Sequence, residues 1–367
     1  MARFAEGLPG VRFLSTLRRS NVHGAIDLGA APGLLPGRVR RADAEEWFAA
    51  RWDRVPSFDG GGARAILEAA ASGRIDTLVL LGCDPLTDFV DRDLAERALI
   101  GARHVVAVDL FPSPSNARAE VVLAAAGFAE QGGTTTNLEG RVAVLGQMVT
   151  PTGTSRPDWT IADDIGRRLG ADLGCGSLDR ITREIAGYSV AHRGLDEATL
   201  ASAGLEGVTV PLPDGPADES PADGVADGGG ADEDDAAEAV VEQCPPMVCF
   251  DAPSPTPVPT VDAYSFRLVA ERSMYDDGRQ LSRVRSLSGL ADAATLRMHP
   301  ADLDRVALGA ERVRVGAHGR TVVVEVRRDP TVAPRTVVMA VGHDNASPHQ
   351  LIAAADTVCA VTVEAVR

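Results

Sequence analysis

The sequence predicts an α/β domain built on a parallel sheet, followed by a smaller, mainly β domain. Three observations carry that reading. Two continuous apolar runs, Asp76–Gly82 and His104–Asp109, alternate with helically spaced segments, as strands covered on both faces do. Residues 312–366 instead show short strands around glycine-bounded turns. Between these regions lies a stretch whose charge and composition match neither.

The elements follow in chain order. Ala63–Ala71 has helical spacing and stops before Gly73, a helix-ending residue. The Asp76–Gly82 strand comes next, then a helix over Asp91–Ile100 closed by Gly101, then the His104–Asp109 strand. Helix–strand–helix–strand at this spacing makes a right-handed crossover layer the default. Pro157 at a first helical position, followed by Trp159, Ile161, Ile165 and Leu169, marks another helix. Near the C-terminus a helix over Pro300–Ala307 precedes a hairpin, Arg312–Val315 and Thr321–Val326, around Gly316-Ala317-His318-Gly319. Arg335–Met339 and Val358–Val366 supply further strands. Short strands around one helix predict a small barrel or sandwich.

The chain has 367 residues, 45% of them hydrophobic, with 36 basic and 52 acidic side chains and a net charge of −16. That length suffices for two domains with real cores. Sixteen acidic residues and no arginine lie between Gly194 and Phe266, so this stretch carries the whole charge excess. Its Pro, Gly, Asp and Glu cannot bury enough surface to offset chain entropy. The division expected is therefore an α/β domain over 1–207, an acidic disordered linker over 208–262 and a β domain over 263–367. The acidic balance argues against nucleic acid as a partner. The absence of a long apolar run argues against direct membrane insertion, and the N-terminal residues read as no secretory leader. Five scattered cysteines form no disulfide framework and suit a reducing compartment.

Candidate chemistry is sparse. Cys244 and Cys249 sit in the linker, and Cys83, Cys175 and Cys359 stand apart, so no four-ligand metal set is evident. His299, His318, His343 and His349 read as turn histidines. Gly60-Gly61-Gly62 before a helix reads as a flexible loop more than a phosphate cradle. Asp84 and Asp109 fall at the carboxyl ends of strands, where open α/β sheets bind ligands, so the Asp84–Thr87 loop is a candidate crevice lining. The densest polar cluster runs from Glu130 to Arg141 and includes Thr134, Asn137, Glu139 and Arg141. Two readings stay open for it: a loop that binds a pterin or nucleotide, or one satisfied internally through an Arg141 ion pair with Glu139 or Glu130. The second reading predicts that Arg141→Ala destabilises the domain.

Four segments in order resemble a known family. Leu80-Leu81-Gly82-Cys83-Asp84-Pro85, Val106-Ala107-Val108-Asp109, Ala119-Glu120-Val121-Val122-Leu123 and Gly133–Val142 are similar to the molybdopterin oxidoreductase superfamily. Asn21–Gly29 and Pro32–Gly37 resemble the branch found in the C-terminal half of the G subunit of actinobacterial NADH:quinone oxidoreductase, complex I. Met298–Gly309 and the strands after it resemble the family's dinucleotide-binding domain, a double-psi β-barrel. The departures are Ala124 and Ala143, where the family pattern has Pro and Gln.

The resemblance implies a structural, non-redox portion of a large peripheral-arm subunit, with no catalytic residue and no cofactor of its own. Thr134, Asn137, Glu139 and Arg141 would form a vestigial pterin-facing loop. Iron–sulfur clusters and any molybdenum ligand would lie upstream of the part represented here, and electron transfer from NADH to quinone would belong to the whole complex. The implied partners are the other peripheral-arm subunits, on the cytoplasmic face of the cell membrane. The alternatives are a fragment of a molybdopterin enzyme such as a formate dehydrogenase, or a free-standing binding protein on the same scaffold.

Overall fold

The computed structural model describes residues 17, 20–52, 54–210, 247–248, 259–275, 278, 281–343 and 346–366. In chain order these give α1 (Val22–Asp27), β1 (Leu34–Leu35), β2 (Val39–Arg40), α2 (Arg41–Ala49), α3 (Ala63–Ala71) and β3 (Thr77–Leu81). Next come α4 (Pro85–Asp88), α5 (Arg92–Gly101), β4 (His104–Asp109), β5 (Val121–Ala124), β6 (Gly133–Thr136) and β7 (Arg141–Leu145). Then follow α6 (Asp158–Arg168), α7 (Leu178–Tyr188), α8 (Glu197–Ala203) and β8 (Val208–Thr209). The last part holds β9 (Phe266–Glu271), β10 (Thr295–Met298), α9 (Pro300–Ala307), β11 (Arg312–Ala317), β12 (Arg320–Arg328), β13 (Thr336–Ala340) and β14 (Ala360–Ala365).

The chain divides into two compact units, residues 1–62 with 125–252 and residues 63–124 with 253–367. This differs from the expected split into 1–207 and 263–367. The physical reason lies in the second unit, where hydrogen bonds span more than 260 residues. His349 Nδ1 bonds the Thr87 carbonyl at 2.9 Å, Asp91 Oδ2 accepts the Ala354 N–H at 3.1 Å, and Arg64 donates to the Ala354 carbonyl at 3.1 Å. They tie the α/β layer to the β domain. Sequence patterning reports only local structure, so it places that layer with its chain neighbours instead.

Within this unit, β3, β4 and β5 form a parallel sheet with β4 in the middle. Leu78, Leu80, Val105 and Ala107 pack against Leu67 and Ala70 of α3 and Leu94, Ala98 and Leu99 of α5. The Asp91 side chain caps α5 by accepting the Leu94 N–H at 3.1 Å. Gly101, expected just beyond the helix, is its last residue, and its role is close approach. A Cβ there would collide with the Ala70 carbonyl oxygen of α3.

The β part closes into a six-stranded barrel in the order β10-β12-β11-β14-β9-β13. The pairs β10/β12 and β9/β13 are parallel and the other four antiparallel. Each strand buries alternate residues: Phe266 and Leu268, Leu296 and Met298, Val313 and Val315, Val322 and Val324, Val337 and Met339, Val361 and Val363. Barrel, not sandwich, is the outcome, and closure leaves no edge strand.

In the other unit β6, β7 and β8 form an antiparallel sheet. Val142, Ala191, Leu195, Leu200 and Val210 make its core. A second small core gathers Phe48 and Trp47 of α2 with Trp52 and Tyr188. Pro157 precedes α6 instead of starting it.

The linker boundaries move. Residues 208–210, placed in the linker by composition, add β8 to β7 and bury Val210. Val248 is buried too and donates its N–H to the Arg38 carbonyl at 2.8 Å. Asp262 accepts the N–H groups of Tyr264 and Ser265 ahead of β9. The rest of the acidic stretch, 211–246 and 249–258, lies outside the described residues.

His349 and His192 make folding pH-dependent. Burial holds His349 below the ordinary histidine value; the Thr87 carbonyl and Asp88 oppose this and Arg272 adds to it. Burial likewise lowers His192, whose Nδ1 lies 2.7 Å from Ser189 Oγ. The unfolded chain therefore takes up these protons at higher pH than the folded chain. Their contribution is complete above the ordinary histidine value and is lost as pH falls below it. Urea unfolding should show stability falling from about pH 7.5 to about pH 5.5, and a slope flattened in a His192→Asn, His349→Asn variant. An unchanged slope in that variant would mean other groups set it.

Candidate functional site

The first candidate is the carboxyl end of the parallel sheet. After β3 the chain turns at Gly82, whose φ is +57°, and Asp84 enters α4 with Pro85 in its first turn. Asp84 is fully buried. Its Oδ1 accepts from the Ser115 N–H at 3.2 Å and from the Ser115 hydroxyl, and its Oδ2 accepts from Thr87 Oγ1 at 2.9 Å. Ser115 Oγ in turn accepts the Leu86 N–H at 3.0 Å. One strand along, Asp109 accepts from the Leu110 N–H at 2.8 Å and from Asn116 Nδ2 at 3.3 Å. Asn116 and Ser113 each accept the other's backbone N–H. These polar groups bolt the loops after β3 and β4 together. Asp84, expected to line a crevice, points its acceptors at Ser115 and Thr87.

A cavity of about 340 Å³ in the same unit is lined by Arg64, Glu68, Asp91, Leu94, Arg97 and Ala354, among others. Its charges are spoken for locally, with Arg64 on Glu68 at 2.8 Å and Arg97 on Asp93 at 3.1 Å.

The second candidate, the Glu130–Arg141 cluster, is a β-hairpin. Thr134 lies in β6 and Arg141 opens β7. Asn137 Oδ1 accepts the N–H groups of Glu139 and Arg141, both at 2.9 Å, and Gly140 takes the left-handed turn position at φ +76°. The Thr136 N–H reaches Asn21 Oδ1 at 2.8 Å.

Arg141 pairs with Glu139 at 3.4 Å, but the two side chains are 42% and 66% exposed. Glu130 is engaged elsewhere, accepting from the Gly127 N–H and Thr152 Oγ1. The expected internal ion pair is thus a solvent-facing one, and the expected destabilisation is corrected with it. Arg141→Ala should change unfolding free energy by no more than about 0.5 kcal/mol in urea titration. A loss of about 2 kcal/mol would restore the internal-pairing picture.

The histidines are divided among structural tasks. His299 caps α9 by accepting the Ala301 N–H at 3.3 Å, His349 holds Thr87, and His343 is buried. His318 occupies the β11–β12 turn and bonds Asp356 Oδ2 through Nε2 at 2.8 Å. Sequence reasoning misses that partnership, since the residues are 38 apart. Cys83 and Cys175 are half-buried. Burial, aided by Asp356, pushes the buried Cys359 thiol up to about 12. Cys244 and Cys249 lie outside the described residues. Gly60 and Gly62 precede α3 with open space where a Cβ would stand.

Among the described residues, one face of the parallel sheet is exposed along its two outer strands and covered at its middle strand, where Val108 is buried and Val106 half-buried. Val79, Val106 and Val121 lie in register, as do Leu81, Val108 and Leu123, opposite the face that α3 and α5 cover. Val79, Leu81 and Val121 are 58%, 65% and 47% exposed. No helix among the described residues is long and apolar enough to cross a membrane.

Residues 16–168 match the Molybdopterin oxidoreductase family. The chain is 39% identical over 146 residues to the NADH-quinone oxidoreductase G subunit of Streptomyces coelicolor, covering 39% of this chain and 17% of that protein. It is 33% identical over 208 residues to the second NADH-quinone oxidoreductase G subunit of Rhizobium meliloti, covering 56% and 24%. It is 29% identical over 189 residues to the F420-dependent formate dehydrogenase subunit alpha of Methanocaldococcus jannaschii, covering 51% and 28%. The chain thus spans under a third of the length of these relatives. Acetylene hydratase from Pelobacter acetylenicus shares the fold over 84% of this chain and 47% of its own, with a TM-score of 0.60 at 14% identity.

The acceptors of Asp84 and Asp109 are turned to neighbouring loops, and Asn137 is spent on its own turn. Among the described residues, the buried side-chain nitrogens without a hydrogen-bond partner are on Trp47, Trp159, Arg267 and Arg320, the last of them 3.6 Å from Asp91 of the cavity. In both candidates the polar side chains named above are engaged by their own loops and turns.

Proposed function

We propose, starting from the molybdopterin oxidoreductase domain that this chain carries over residues 16–168, that it is a structural, non-redox portion of the large peripheral-arm G subunit of an NADH:quinone oxidoreductase. The exposed outer strands of the parallel sheet carry this reading. Parallel sheets are covered on both faces in nearly every protein that has them. Three exposed aliphatic side chains on the two outer strands of such a sheet, Val79, Leu81 and Val121, therefore mark a surface that another polypeptide covers. The occupant in this proposal is a peripheral-arm polypeptide of the same complex, on the cytoplasmic face of the cell membrane. The two NADH-quinone oxidoreductase relatives support it.

In this reading the segment holds no cofactor. Iron–sulfur clusters and electron transfer from NADH to quinone reside in other parts of the assembly. Thr134, Asn137, Glu139 and Arg141 serve the hairpin, in place of facing a pterin. The barrel is of the double-psi type found in molybdopterin-dinucleotide-binding domains. Six closed strands with two parallel pairs support that assignment.

A second reading, a fragment of a molybdopterin enzyme, is favoured by the formate dehydrogenase relative. Affinity purification from native membranes, with mass spectrometry of retained proteins and oxidative extraction of pterin, separates the two. Retained peripheral-arm subunits without pterin support the first. Pterin in proportion to the chain supports the second, and a chain recovered alone contradicts the first.

A further inference from the structure

We propose that His318, Asp356 and Cys359 form a divalent-cation site of zinc type at the rim of the barrel. His318 Nε2, an Asp356 carboxylate oxygen and Cys359 Sγ all lie within 4.8 Å of one another. Nitrogen, oxygen and sulfur are the donors zinc takes, and three protein ligands with an open fourth position is its usual open-site arrangement.

Two pieces of the barrel present these atoms, the β11–β12 turn and the segment leading into β14. His318 sits in the two-residue turn between β11 and β12, which is fixed by the Ala317–Arg320 pair. Asp356 is held by the Ala353 N–H, 3.0 Å from Oδ2. Cys359 immediately precedes β14, and its carbonyl accepts the Leu268 N–H from β9 at 2.9 Å. Barrel pairing thus sets the backbone at His318 and Cys359, and the loop between Ala353 and Cys359 sets Asp356.

Metal–ligand distances of about 2.0 Å to nitrogen and oxygen and about 2.3 Å to sulfur require donor atoms about 3.3–3.6 Å apart. Side-chain adjustments of about 1 Å bring the three donors to that spacing. The His318–Asp356 hydrogen bond gives way to two bonds to the cation. His318 is 44% exposed, so the ion and a fourth, water ligand reach the site from solvent. A coordinated thiol is deprotonated, so uptake releases the Cys359 proton. The buried sulfur donates weakly to the Leu351 carbonyl at 3.8 Å and also meets the Asp356 carboxylate.

The test is cobalt titration of the whole chain, without a polyhistidine tag and after chelator treatment. The expected result is one Co²⁺ per chain, with visible ligand-field bands, a near-ultraviolet thiolate-to-cobalt band, and displacement by Zn²⁺. Cys359→Ser should remove the thiolate band while Cys83, Cys175, Cys244 and Cys249 remain in place. His318→Ala, at an exposed turn where folding is spared, should weaken binding about tenfold or more. Absence of stoichiometric cobalt, or a thiolate band that survives Cys359→Ser, would overturn the proposal.

Discussion

Replacing Val79 and Leu81 together with arginine should abolish co-purification of partner proteins while leaving the chain folded. Both side chains are more than half exposed, so charge at these positions costs the folded chain little, within about 0.5 kcal/mol. In an assembly the same face is covered, and two guanidiniums would be buried against apolar surface without partners. That is among the costliest changes an interface can suffer, and a loss of retained partner by a factor of about 100 or more is expected. Quantitative mass spectrometry of matched purifications reads it, with thermal unfolding as the folding control. Equal retention by the double variant would show that the face is not a contact surface. A large drop in melting temperature would show that it packs within the chain.

The second large effect is expected at Asp84. Asp84→Ala leaves the fully buried Ser115 N–H and hydroxyl, and the half-buried Thr87 hydroxyl, without their shared acceptor. Stranded buried donors cost about 1–3 kcal/mol each, so a loss of about 3 kcal/mol or more in the unit formed by 63–124 and 253–367 is expected from urea unfolding. Asp84→Asn should recover part of it by keeping one carbonyl acceptor. A loss below about 0.5 kcal/mol in the alanine variant would mean that this network does not bolt the sheet end.

Much of the local structure is legible in the sequence, because local patterns produce it. Ala63–Ala71 and Pro300–Ala307 are helices with the expected bounds, and His104–Asp109 is the expected strand. Apolar spacing, capping residues and glycines act within a few positions. What escapes is non-local. Strands Phe266–Glu271 and Thr295–Met298 are absent from the sequence reading, although they complete the barrel through parallel pairing with β13 and β12. Such pairing has no turn signal to announce it. The division into units escapes for the same reason, being carried by the Thr87–His349 and Asp91–Ala354 bonds. At the candidate sites residue types are visible but their partners are not. The Glu130–Arg141 cluster looks like a ligand loop because Asn, Thr and Gly serve ligands and tight turns alike. Asp84 falls at the right end of the sheet, yet only the fold shows its acceptors meeting Ser115 rather than solvent.

The central claim, that the exposed outer strands of the parallel sheet form a contact surface within a larger assembly, is tested most directly by photo-crosslinking from Leu81 in living cells. A photoreactive amino acid at this position should give a discrete covalent adduct with a peripheral-arm polypeptide of an NADH:quinone oxidoreductase, identified by mass spectrometry. The same probe at Leu205, which is 99% exposed, serves as the solvent control. An adduct from Leu81 and none from Leu205 is the predicted result. No adduct from Leu81, with the probe incorporated and the chain folded, would contradict it.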